Sequence, residues 1–308
     1  MSNSEPLPQP TRSETKRALL ILVASASFFG LMAFTAKLAS AHVGGAQVAM
    51  IRFAVGLVPI LLIPALRRQA FTFHRIDVLF YRGVLGGFAV LLYFLAIEHI
   101  PVGLATLLNY MSPIFAGLFA AAFIGEPIRG RVALPLAIAL CGIYFVVRSH
   151  AAPGELIGFG RWEAAALLSA VFSGSAVTFI RLARRTEGSW AIFGSLSLFG
   201  LLATAPFAAA TWVRPSAFEW LLLIAVGVVS IVAQILMTHA YRWVETLVAG
   251  TVSQLGVIVS MLLGAAFLSE SLTALSILGT ALAILGVSLV IRATTAHARL
   301  AAGAAPPA

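Results

Sequence analysis

The chain has 308 residues, 60% of them hydrophobic and only 10% charged, with a mean hydropathy of +1.00. Soluble domains carry about 25% charged residues, so this composition excludes a soluble enzyme, a nucleic-acid-binding domain and a disordered chain. The net charge of +9 forms no basic patch; Lys and Arg gather at the ends of apolar runs, which is a pattern of membrane topology.

Residues 1–16, with three prolines, read as a disordered tail. Ten apolar runs near the 20-residue length of a spanning helix follow: 17–39, 46–66, 78–97, 102–124, 131–147, 162–181, 190–211, 218–241, 246–268 and 274–291. The first is too long for the apolar region of a secretory signal and lacks a small-residue cleavage site, so it reads as a retained helix. Short loops make neighbouring spans antiparallel. The single cysteine, Cys141, lies inside a run and forms no internal disulfide. The Ala-rich segment 293–308 reads as a second disordered tail. The expectation is an all-α integral membrane protein.

Charge sets the orientation. One side of the predicted membrane collects 15 Lys and Arg residues and the other only Arg148, Arg161 and Arg214; Lys37 and Arg52 fall inside spans. The positive-inside rule then places both termini in the cytoplasm, with the bilayer as solvent. All five tryptophans lie at predicted span ends, as an interfacial aromatic belt requires.

The chain also repeats itself. "LFAAAFIGE" ends at Glu126 and "LLGAAFLSE" ends at Glu270, an offset of 270 − 126 = 144. The same offset pairs Arg17 with Arg161, Ser25 with Ser169, Phe28 with Phe172, Gly30 with Gly174, Gly83 with Gly227 and Gly142 with Gly286. Residues 17–148 and 161–292 therefore read as two repeats of five spans each. Five is odd, so the second repeat enters the membrane inverted, a plan recurrent in secondary transporters.

Local patterns extend this reading. "FFGLMAFTAKLAS", "AMIRF", "LLNYMSPIFAGLFAAAFIGEP" and "LSESLTALSILGTALAILGVSLVIR" resemble the first, second, fourth and closing segments of the EamA branch of the drug/metabolite transporter superfamily. The resemblance implies ten transmembrane helices as two inverted five-helix repeats. It also implies a cavity lined by spans one, three, four, six, eight and nine, and export of a small-molecule substrate across the inner membrane. The branch handles amino acids, amines, vitamins and drugs, so the compound stays open, and import of a vitamin-like compound is the alternative. Where the first repeat has Pro113 the second has Val257, so the ninth span is expected to lack the fourth span's kink.

Candidate substrate contacts come from polar and aromatic residues at span depth. Pro113 removes a backbone donor and breaks the fourth span, and broken helices mark transporter sites. Asn109 and Tyr110 precede that break, and Gln254 holds Tyr110's place in the second repeat. Buried amides need partners, so these residues either line a cavity or bond helix to helix. Lys37 and Arg52 either hold a substrate anion, or Lys37 snorkels while Arg52 pairs with Glu98. Phe28, Tyr93 and Phe172 are candidate cavity walls, and Gln234 on span eight joins them. Glu126 and Glu270 read as structural caps.

Other chemistries lack their residues. An aspartyl protease needs two aspartates and the chain has one, Asp77; no GxSG serine site and no Walker sequence occur; His, Cys and carboxylates do not cluster as metal ligands. No cofactor is expected, and the carrier reads as a monomer or weak homodimer. Every acid lies in a tail, in a loop or at a span end, so the expected mechanism is a facilitator or exchanger, with proton-coupled export as the alternative.

Overall fold

The computed structural model describes residues 12–124, 133–151, 159–183, 186–240 and 252–303. Glu126, Arg131 and the start of the ninth span at Thr246 lie outside them. Within the described residues every regular element is a helix: α1 (Arg12–Ala39), α2 (Gly45–Leu62), α3 (Pro64–Ala70), α4 (Ile76–His99), α5 (Val102–Asn109), α6 (Ser112–Ile124), α7 (Ala133–Ser149), α8 (Arg161–Ala183), α9 (Ser189–Ala210), α10 (Ala217–Ala240), α11 (Leu255–Phe267) and α12 (Ala274–Gly303). Six helices contain stretches long and apolar enough to cross a bilayer: Arg17–Ala39, Gly45–Leu62, Ile76–His99, Arg161–Ile180, Ser189–Ala210 and Ala217–Met237. Four shorter apolar helices, Val102–Ala116, Leu134–Ser149, Leu255–Phe267 and Ala274–Val290, occupy the other predicted positions. Large apolar side chains such as Leu62, Leu134, Leu202, Phe218 and Phe267 face outward, an arrangement stable in lipid and costly in water.

The helix boundaries depart from the expected ones in places. The second span stops at Leu62 instead of residue 66. Pro64 has no N–H and pushes Ile63 into extended backbone (φ −102°, ψ 107°), so a separate short helix begins there. The last helix continues to Gly303, through residues expected to be a tail; its Ala, Arg and Leu content favours helix. Arg82, one of the 15 charges assigned to the cytoplasmic side, lies inside α4 and is 6% exposed.

The two repeats are interleaved. α1 packs mainly on α10 and α11, and α8 packs mainly on α4 and α6. The glycine pairs found at the 144-residue offset are the crossing points. A Cβ on Gly30 would stand 2.8 Å from Gly256 O and 2.7 Å from Val259 Cβ; one on Gly174 would stand 2.8 Å from both Ser112 O and Phe115 Cβ. Residues 256 and 259 are 112 and 115 advanced by 144. Likewise Gly83 abuts Phe199 and Gly227 abuts Val55, while Gly142 abuts Ala283 and Gly286 abuts Ala139. Each contact has its counterpart with the repeats exchanged. Small residues let these backbones approach closely, which is what helix association in lipid requires.

Candidate functional site

The fourth span is broken, and the break lies where α5 ends and α6 begins. Asn109 is the last residue of α5; Tyr110 and Met111 form a turn; Ser112 opens α6. Pro113 cannot donate to the carbonyl of Asn109, so three-residue turns replace helical bonds: Met111 N–H donates to Leu108 O (3.2 Å) and Ile114 N–H to Met111 O (2.9 Å). The ninth span behaves in the same way without a proline, contrary to expectation. α11 starts at Leu255 behind a turn at Gln254, and Val257 N–H donates to Gln254 O at 3.0 Å. Gly256, a poor helix former, supplies the weakness there.

The two breaks meet. Gln254 Nε2–H donates to Tyr110 O at 3.4 Å, and these residues are 144 apart. A Cβ on Gly256 would stand 2.8 Å from Tyr110 Oη, so the tyrosine ring lies against the start of α11. Asn109 Nδ2–H donates to Ser169 Oγ at 2.8 Å, and Ser169 Oγ–H donates onward to Ala166 O. Gln254 is 2% exposed, and its Oε1 accepts no hydrogen bond among the described residues. A buried amide oxygen without a donor costs about 1–3 kcal/mol.

The remaining candidates divide. Phe172, half-buried on α8, packs on Phe88 with centroids 5.9 Å apart; Phe28 is half-buried on α1, and Gln234 half-buried on α10. Tyr93 is buried; its hydroxyl lies 2.8 Å from Thr106 Oγ1. Thr106 spends its own proton on Val102 O, so Tyr93 is the donor of that pair. Lys37 does not reach the other polar residues. Its Nζ donates to Glu98 O (3.2 Å) and Ile100 O (3.0 Å), the carbonyls that end α4, where a cation is favoured. Arg52 and Glu98 do not pair: Arg52 Nε–H donates to Ser230 Oγ at 2.7 Å, and the Glu98 carboxylate accepts Gly45 N–H at 2.7 Å.

Glu98 is one of several acids spent on helix starts. Glu187 accepts the N–H groups of His74 and Arg75 before α4, Glu270 accepts Val102 N–H, Glu163 accepts Gly160 N–H and Glu219 accepts Ser216 N–H. Each puts negative charge at the positive end of a helix dipole. Glu270 thereby has the capping role expected of it.

Comparison with known proteins decides the family. The profile of the EamA-like transporter family matches residues 16–148 and again residues 160–292. The chain belongs to the EamA-like transporter family. It is a multi-pass membrane protein built from two EamA repeats. It is 32% identical over 266 residues to the pseudopaline exporter of Pseudomonas aeruginosa, in strains UCBPP-PA14 and PAO1, an alignment covering 86% of this chain and 92% of the relative. A crystal structure of a protein 20% identical in sequence overlays with a TM-score of 0.62, covering 92% of this chain and 99% of the other, which supports the fold.

Arg82 is the residue that sequence reasoning missed. It falls within the expected third span, 78–97, but only four residues from its start, and so counts with the cytoplasmic-side charges. Its place one and a half turns inside α4 was the available signal.

Proposed function

We propose that the protein is an inner-membrane exporter of small organic metabolites, amino-acid-like or carrying an anionic or zwitterionic part, working as a facilitator or exchanger by alternating access. In this reading ten helices form two inverted five-helix repeats, 17–148 and 161–292, with both termini cytoplasmic. The observation that carries it is the meeting of two helix breaks at the junction of the repeats, Tyr110 against Gln254. Broken helices free backbone dipoles for a substrate at the midplane, and paired breaks give the interleaved repeats two related hinges around one site. Export and a metabolite substrate are drawn from the pseudopaline exporter. The absence of a carboxylate from the described span interiors supports a carrier that follows the substrate gradient.

The test is efflux and counterflow from proteoliposomes loaded with a metabolite panel. Saturable counterflow is expected. Asn109→Ala and Gln254→Ala are each expected to lower it about tenfold while membrane levels hold, equivalent to about 1.4 kcal/mol. Non-saturating flux, or wild-type counterflow in both variants, overturns the reading.

A further inference from the structure

Two guanidinium groups are buried between α2, α4, α9 and α10, and among the described residues neither meets an anion. Arg52 on α2 is 8% exposed and Arg82 on α4 is 6% exposed. Arg52 Nε–H donates to Ser230 Oγ and its guanidinium lies over the Phe53 ring at 5.1 Å, which leaves Nη1 without a hydrogen bond. Arg82 Nε is likewise buried without one. The carboxylates with described side chains are all committed elsewhere: Asp77 to Arg75, and Glu98, Glu163, Glu187, Glu219 and Glu270 to helix starts. Leu196 links the two: it lines the recess beside Arg52, and its side chain adjoins Arg82 Nη1 at Gly86. Two like charges in a low-dielectric interior with no counterion are destabilising. Charges kept at that cost within spans mark substrate paths.

The surroundings add polar donors beside a small recess. Arg52 lies seven residues into α2 and Arg82 six residues into α4, about 10 Å in from the start of each helix. Each arginine is followed four positions later by a glycine. Gly86 leaves the space that Arg82 Nη1 fills, and Leu196 closes the same spot. Gly56 opens a recess lined also by Arg52, Phe53, Leu196, Ser197 and Ser230. Leu196 thus stands between the recess and Arg82. Serine hydroxyls and guanidinium N–H groups together are the donor set of a carboxylate site.

We propose that Arg52 and Arg82 form an anion-recognition site for a soluble metabolite bearing two carboxylates. This rests on the carrier reading above and deepens it: Lys37 leaves the set of anion-binding residues and Arg82 enters it. A dianion neutralises both guanidinium groups at once, whereas a monocarboxylate leaves one unpaired.

The test is isothermal titration of the full chain in phosphatidylcholine nanodiscs, with succinate and acetate as probes. Succinate is expected to bind at least tenfold more tightly than acetate. Arg52→Gln and Arg82→Gln are each expected to weaken succinate at least tenfold, with Arg75→Gln, on an exposed surface, unchanged. Thermal melting without ligand provides a second readout: Arg82→Met should melt several degrees higher, because an unpaired buried charge is removed. A lower melting point for Arg82→Met assigns Arg82 a structural partner and overturns the proposal, as does equal binding of succinate in wild type and both Gln variants. Adding phosphatidylglycerol should leave succinate affinity unchanged; competition would assign the site to a lipid headgroup and overturn a soluble ligand. Succinate binding that depends on both arginines, in a protein without counterflow, sustains the site and rejects the carrier. Counterflow with arginine-independent binding does the reverse.

Discussion

Replacing Gly174 by alanine tests whether the repeats are held by close backbone approach. The new Cβ would lie 2.7 Å from Ala116 N, 2.8 Å from Phe115 Cβ and 2.8 Å from Ser112 O. Ordinary van der Waals contact begins near 3.4 Å, so α8 must retreat from α6 by about 3.4 − 2.7 = 0.7 Å. Two of the three atoms are backbone, so no rotamer change relieves the contact. A gap of 0.5–1 Å forfeits roughly a quarter to a half of each dispersion well along the seam, and overpacking of this kind costs about 1–3 kcal/mol. Gly30→Ala meets the counterpart surface, with Val259 Cβ at 2.7 Å and Gly256 O at 2.8 Å. Its cost should be similar, because Val259 Cβ is fixed by its backbone and Gly256 O is itself backbone. Gly188→Ala is the control: nothing lies within 4 Å of its Cβ, and its effect should stay within about 0.5 kcal/mol. Equilibrium unfolding in mixed detergent micelles measures all three. A Gly174→Ala protein as stable as Gly188→Ala would refute the claim that α8 is seated on the opposite repeat by glycine contact.

Lys37→Met should cost about 1–3 kcal/mol of stability, because two carbonyls at the end of α4 lose a charged donor, while the counterflow KM of the surviving protein stays unchanged; a raised KM would return Lys37 to the substrate site. Glu270→Gln should lower stability by about 1–2 kcal/mol through the weakened bond to Val102 N–H, seen as earlier unfolding on a denaturant titration. Flux in liposomes should be indifferent to an imposed pH gradient, since the described acids are spent on helix starts and on Arg75; gradient-driven accumulation that disappears in Glu98→Gln would name a proton site.

The repeat and its crossing points were legible because the same spacing has to satisfy two interfaces at once. Gly30 and Gly174, Gly83 and Gly227, and Gly142 and Gly286 share a register in the chain and meet equivalent surfaces in the fold. The break at Pro113 was legible from proline chemistry alone. The matching break at Gln254 was not, because Gly256 weakens a helix without dictating where it fails. Lys37 and Arg52 were legible as costly charges, but their partners were not. Backbone carbonyls ending α4 carry no side-chain signature, and Ser230 lies 178 residues from Arg52. Arg82 was hidden by the arithmetic of topology, which counts a charge near a span end as exposed whatever packs against it.

The interleaving of α1 and α8 has a consequence for how the chain is born. A nascent protein whose first five helices have entered the membrane has not yet made the surfaces that α1 requires, since α10 and α11 are still untranslated. During that interval Gly30 and Gly142 present grooves to lipid, and the half-molecule has no compact resting state of its own. Assembly therefore waits for the last helix, and the two halves expressed as separate chains should each depend on the other for survival in the cell.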